Sequence, residues 1–189
     1  YFLEEDPDSH FYLLRKVPGY DDLEERVVVD WERGHINWHQ WLRPKSKVVV
    51  EILPHGYARP FPGYLDFILS YYELRRIIAH PESNREWHEA LSGVGGIYLI
   101  QNLKDGAQYV GSAYGAQGIL GRWKDYAGDG HGGNALLGEI CSKHKEAHYA
   151  FSYSILQTLS KSLTSKEAIE QENLWKKKLG TRAFGLNAN

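Results

Sequence analysis

Two triplets in mirrored order, Gly96-Ile97-Tyr98 and Tyr109-Val110-Gly111, stand on either side of a Lys104-Asp105-Gly106 turn signal. Runs of aliphatic and aromatic residues joined through a glycine turn form a hairpin, so strands are predicted over 96–101 and 108–112. The hairpin sets one tyrosine on each of two facing strands. Because side chains alternate between the faces of a strand, the two phenols either line one edge of a cleft or fill a core together.

After the hairpin, helix signals alternate with one more strand. A helix is predicted over 117–126, a glycine-rich loop over 128–133, a helix from Asn134 to about Lys145 and an alternating strand over 148–156. The last helix has the clearest ends: Thr164 and Glu167 form a capping box, Lys176, Lys177 and Lys178 suit its carboxyl end, and Gly180 can cap it.

Before residue 94 the pattern differs. Valine-, tryptophan- and isoleucine-rich runs over 26–41 and 47–53, with Gly34 and Arg43-Pro44 as turn signals, predict short strands, and 54–63 reads as a loop. Leu65, Ile68, Leu69, Tyr72 and Ile77 recur at roughly helical spacing over 64–78, and Ser83 with Glu86 starts a second helix that Gly93 ends. The expected organisation is a small β-rich and helical module over 1–93 followed by an α+β domain over 94–189.

Charge divides along the same line. Residues 94–189 hold 11 Lys and Arg against 8 Asp and Glu, whereas 1–93 hold 11 against 16. The basic excess of the second half permits a nucleic-acid partner without demanding one. Cys141 is the only cysteine, which removes disulfide frameworks and thiolate zinc cages and fits a reducing compartment, with the cytoplasm as the default. No apolar run is long enough to span a membrane, and Glu4, Glu5, Asp6 and Asp8 give the start the wrong charge for a secretory leader. With Tyr1 first and no methionine anywhere, the sequence is expected to be a fragment or processed piece with an upstream segment.

Several polar residues of the second half can converge. Arg122 and Tyr126 are one helical turn apart, so the guanidinium either grips a phosphate or faces solvent. Glu172 lies between Ile169 and Trp175 on the last helix, and a carboxylate beside an apolar stripe needs a polar partner or a metal. Oxygen ligation favours a hard cation such as magnesium or manganese, shared with substrate phosphate and water. Asn187 brings an amide that can orient one of these groups.

At this point the residues resemble one nuclease family, the GIY-YIG endonucleases, and particularly its phage homing-endonuclease members. The resemblance rests on Gly96-Ile97-Tyr98, on Tyr109-Val110-Gly111-Ser112-Ala113, on Gly121-Arg122-Trp123 with Tyr126, on the helix from Glu170 to Lys176 carrying Glu172, and on Asn187. It covers about half the chain. It implies a three-stranded antiparallel sheet flanked by helices and hydrolysis of a DNA phosphodiester with one divalent cation, Mg2+ or Mn2+. Tyr98 or Tyr109 would deprotonate or position the attacking water, with Tyr98 placed ahead as the base. Arg122 would stabilise charge on the phosphate, and the metal on Glu172 would stabilise the leaving oxygen. Tyr126 would bond the phosphate or the first tyrosine, and Asn187 would hold the arrangement from its edge. The implied partner is double-stranded or branched DNA, with 1–93 positioning the nuclease or recognising a protein partner.

Two departures from the family pattern matter. Ser112 stands where some relatives carry lysine, and Tyr126 where others carry histidine. His131, in the loop that leads to Asn134, is the candidate substitute, and Ser112, His131 and Asn134 are further phosphate-binding candidates. His144 and His148 are four apart but straddle the start of a predicted strand, and Trp31, Trp38 and Trp41 read as core or as a base-stacking platform. Other readings are a noncatalytic DNA-binding or assembly module on the same scaffold, and an RNA-processing nuclease, since either backbone suits the same charges.

Overall fold

The computed structural model describes residues 2–6, 9–12, 18–24, 26–31, 46–144 and 146–188. The chain divides into two compact units, Tyr1–His55 and Gly56–Asn189. Trp38 and Trp41 lie outside the described residues.

The first unit holds two short antiparallel pairs. Strand β1 (Phe2–Asp6) pairs with β2 (Ser9–Tyr12), and β3 (Val27–Val29) with β4 (Val49–Ile52). Between the pairs lies one 3-10 turn, Asp21–Leu23. The Arg26 side chain donates to the Leu53 carbonyl at 2.6 Å and ties the ends of the second hairpin.

The second unit is built on a four-stranded antiparallel sheet. Strand β5 (Leu69–Ser70) pairs with β8 (Phe151–Leu159), which pairs with β6 (Gly95–Asn102), and β6 pairs with β7 (Gln108–Ala113). The expected three-stranded sheet is present as β8-β6-β7, and β5 adds a two-residue edge from before residue 94. Helices α1 (Tyr71–Ala79), α2 (Arg85–Gly93), α3 (Gly118–Asp129) and α4 (Ala135–Lys143) contribute to the core on one face, where Leu74, Trp87, Trp123 and Leu137 meet Tyr98, Ile100 and Tyr153. On the other face, Ile97, Val110 and Leu159 meet Ala168 and Trp175 of α5 (Ser165–Leu179). A short helix α6 (Thr181–Phe184), which periodicity did not anticipate, follows Gly180 in its left-handed conformation at φ 64°.

The helix expected over 64–78 starts only at Tyr71. Ser70 accepts a hydrogen bond from the Glu73 amide, and Glu73 accepts one from the Ser70 amide, a capping box that fixes the start. Leu65 and Ile68, expected on its apolar face, are instead 62% and 68% exposed. The next helix is not capped by Ser83. Asn84 stands at its start, and its buried amide is spent on the preceding loop, bonding Gly56, Ala58 and His80 at 2.9 Å. The strand expected from His148 begins at Phe151, because Ala147–Ala150 forms a 3-10 turn in which His148 packs at a tilt against Tyr71, ring centroids 4.5 Å apart.

These bonds explain why the second unit begins at Gly56, so that the expected division at residue 93 falls inside it. The Trp87 indole donates to the Arg59 carbonyl at 2.6 Å, and Tyr64 donates to the Ala90 carbonyl at 3.1 Å. Phe61, Phe67 and Trp87 form an edge-to-face cluster that Trp123 of α3 joins through Phe67. Trp87→Ala therefore removes about 3–5 kcal/mol of unfolding free energy, read by urea denaturation of the full chain. A loss below about 1 kcal/mol would mean that α2 stands outside the core.

Candidate active site

Both motif glycines are required by close approach. A Cβ at Gly111 would overlap the Tyr98 ring, which lies across β7, and a Cβ at Gly96 would come within 2.7 Å of Ile119 and 2.9 Å of the Gln157 carbonyl. The mirrored triplets are thus one packing arrangement. Tyr98 pairs with Gly111 and Tyr109 with Ile100, so the two tyrosines lie diagonally on one face, ring centroids 6.4 Å apart.

Helix α3 brings its polar turn to this face. The Tyr98 and Tyr126 hydroxyls are 3.1 Å apart, and the Arg122 guanidinium donates to both, from Nε to Tyr98 and from Nη2 to Tyr126, each at 3.3 Å. Its third nitrogen, Nη1, donates to Asp125 at 3.2 Å. Tyr98 is 1% exposed and Tyr126 fully buried, whereas Tyr109 is half-buried and lines an open groove. Burial drives the Tyr98 phenol well above the ordinary tyrosine range, Tyr109 adds to the shift, and the bonds from Arg122 and Tyr126 only partly offset it. Burial likewise raises Tyr126.

On the opposite face, the Ser112 hydroxyl donates to one Glu172 oxygen and the Lys176 ammonium lies 2.7 Å from the other. Glu172 is 15% exposed at its side chain and Lys176 only 4%. Because β7 is an edge strand, the groove runs around it and joins the two sets: Tyr98, Tyr109 and Arg122 from one side, Ser112, Glu172 and Lys176 from the other, in about 900 Å³. Asn187 closes the same edge. Its Oδ1 accepts from the Val110 amide at 2.9 Å and its Nδ2 donates to the Val110 carbonyl at 2.8 Å.

Glu172 fits a hard cation. A carboxylate offers about four lone-pair directions, of which Ser112 and Lys176 take two. No cluster of three or more His, Cys, Asp or Glu able to hold a metal occurs among the described residues, so water and substrate oxygens would complete the shell.

His131 and Asn134 do not line the groove. His131 accepts from the Gly133 amide at 3.1 Å and lies 3.7 Å from Asp129, while Asn134 caps α4 by accepting from the Leu137 amide at 2.9 Å. Three groove residues escaped the sequence reading. Asp125 follows Arg122 at helical spacing and Lys176 follows Glu172 by one turn, which were usable signals; Arg182 carried none. Lys176, expected among solvated helix-end lysines, is buried, unlike Lys177 and Lys178.

No family model and no curated protein matches the chain. Solved structures do. A mutant of the catalytic domain of the intron endonuclease I-TevI is 30% identical, the match covering 51% of this chain and 94% of that chain, at a TM-score of 0.42. The catalytic domain of the homing endonuclease I-TevI is 31% identical, covering 50% of this chain and 98% of that chain, at a TM-score of 0.41.

Since the fold holds the Tyr98 phenol neutral, its contribution to stability is intact below the unfolded tyrosine value near 10 and is lost as pH rises beyond it. Tyr98→Phe should leave the ultraviolet phenol titration unchanged up to about pH 10. A loss of amplitude in that range would show Tyr98 titrating as an ordinary phenol.

Proposed function

Because the chain belongs to the GIY-YIG endonuclease family, we propose that its second half is a divalent-metal-dependent endonuclease hydrolysing phosphodiester bonds in double-stranded or branched DNA. The supporting observation is that Arg122 and Glu172 line one groove around a single edge strand, and in this reading one phosphate bound there meets both. Arg122 is held by two phenols and by the exposed carboxylate of Asp125, and a phosphate oxygen replaces the last most easily. The guanidinium then meets growing negative charge already oriented, which favours the transition state.

The tyrosines divide the remaining work. Tyr109, half-buried and open to the groove, positions or deprotonates the attacking water. Tyr98, buried and held neutral, positions Arg122 together with Tyr126, which reverses the order expected from the sequence. Glu172 would hold the cation, with Ser112 orienting the carboxylate and Asn187 fixing β7. A magnesium or manganese ion, if held there, would supply charge stabilisation at the leaving oxygen. No helix of the described residues is long and apolar enough to cross a membrane, and a lone unbridged Cys141 fits a reducing compartment such as the cytoplasm.

Cleavage of supercoiled plasmid and branched DNA with magnesium, manganese or chelator tests the proposal. Glu172→Gln should abolish cutting with the fold intact, glutamine being chosen because it keeps a hydrogen-bonding neighbour beside buried Lys176. Arg122→Ala should lower the rate by roughly 10² to 10³. Metal-independent cutting, or full activity of Glu172→Gln, overturns the metal role. DNA binding without any cutting favours the noncatalytic reading, and preference for a matched RNA favours the RNA-processing one.

A further inference from the structure

The least expected group in the groove is Lys176. An ammonium is almost never fully buried without a partner. Here the side chain is 4% exposed and sits 2.7 Å from Glu172, on the same helical face one turn away, while the Ser112 hydroxyl occupies the other carboxylate oxygen. Two following lysines show the ordinary behaviour: both are exposed, and Lys178 lies over the Trp175 ring at 4.7 Å. Lys176 is thus paired with Glu172 inside the fold, which the general preference of cations for a helix end does not account for.

That pairing has an electrostatic consequence. In the protein alone the Glu172 charge is already balanced, and a dication arriving at the carboxylate meets an ammonium on the same group. Among the described lining residues, Arg122, Lys176 and Arg182 outnumber Asp125 and Glu172, leaving one net positive charge on their side chains. A groove of this sign attracts a phosphodiester first and a cation poorly. Once the phosphate lies between Arg122 and Glu172, its negative charge offsets the repulsion.

Building on the reading of Glu172 as the metal ligand, we infer that Lys176 is an electrostatic gate on that ligand, making cation binding at Glu172 weak in the free protein and coupled to the arrival of DNA phosphate. Lys176 is a positioning residue in this arrangement. It acts through the Glu172 carboxylate.

The test is manganese binding without DNA, followed by the electron paramagnetic resonance of the free ion, with folding checked by circular dichroism. The wild type should bind weakly. Lys176→Gln should bind at least about tenfold more tightly, Lys176→Arg should restore wild-type weakness, and Glu172→Gln added to Lys176→Gln should abolish the gain. A purely structural Lys176 predicts the opposite sign, because losing it would disorder the ligand and weaken binding. Lys176→Gln binding no tighter than wild type overturns the gate. If Glu172→Gln alone still abolishes manganese binding in that case, the metal reading survives. If Glu172→Gln changes no manganese affinity in either background, the metal reading falls and the gate with it. Micromolar manganese binding by the unaltered protein without DNA also overturns the gate, even if Lys176→Gln fails to fold.

Discussion

An edge strand leaves a row of backbone N–H and C=O groups without a strand partner, and natural sheets have to cover that row or blunt it. In the four-stranded sheet one such row belongs to β7. Asn187 covers part of it by pairing both backbone groups of Val110, and the Leu186 amide donates to the Gln108 carbonyl at 2.7 Å. Each buried backbone group left unpaired costs about 1–3 kcal/mol, so the closure is a strong constraint on where the chain's last segment lies. It also decides where a groove can form. A central strand has neighbours on both sides, whereas the uncovered remainder of β7 lets residues from its two faces reach a common space.

The two faces contribute different physics. On one, a guanidinium that opens onto the groove is fixed from behind by two buried phenols. On the other, a nearly buried ion pair with one hydroxyl holds a carboxylate in a single orientation. Tyr98 links them indirectly: its ring covers Gly111 and its hydroxyl contacts Arg122, so the strand carrying Ser112 and the helix carrying Arg122 are set against the same side chain. That is why a Cβ on Gly111 matters at the site as well as in the core.

Much of this was legible in the chain. The hairpin, the helix of Arg122, the capping box of Thr164 and the left-handed Gly180 follow local rules, and local rules survive folding. Spacing put Arg122 with Tyr126, while Glu172 stayed open between a polar partner and a metal until the family resemblance assigned it a metal role. What failed depended on contacts distant in sequence. Ser83 was the expected helix start, yet it is Asn84 that stands there, and its amide holds residues 56 and 58 and extends the compact unit upstream. His148 belonged to a strand by alternation, but it lies in a 3-10 turn and packs on Tyr71. His131 and Asn134, plausible as phosphate ligands in a glycine-rich loop, satisfy that loop's own backbone. The burial of Lys176 and the burial that keeps Tyr98 neutral are likewise invisible until the faces of the sheet are assembled.

The central claim is that Arg122 and Glu172 act from opposite sides of β7 on one phosphate. It is tested most directly by the crystal structure of the chain with duplex DNA and manganese, using the Arg122→Lys protein if the native enzyme cuts the duplex during growth. One backbone phosphate is expected within hydrogen-bond reach of residue 122, with Tyr109 facing it and the anomalous signal of manganese on Glu172. A phosphate bound elsewhere, or manganese away from Glu172, would contradict it.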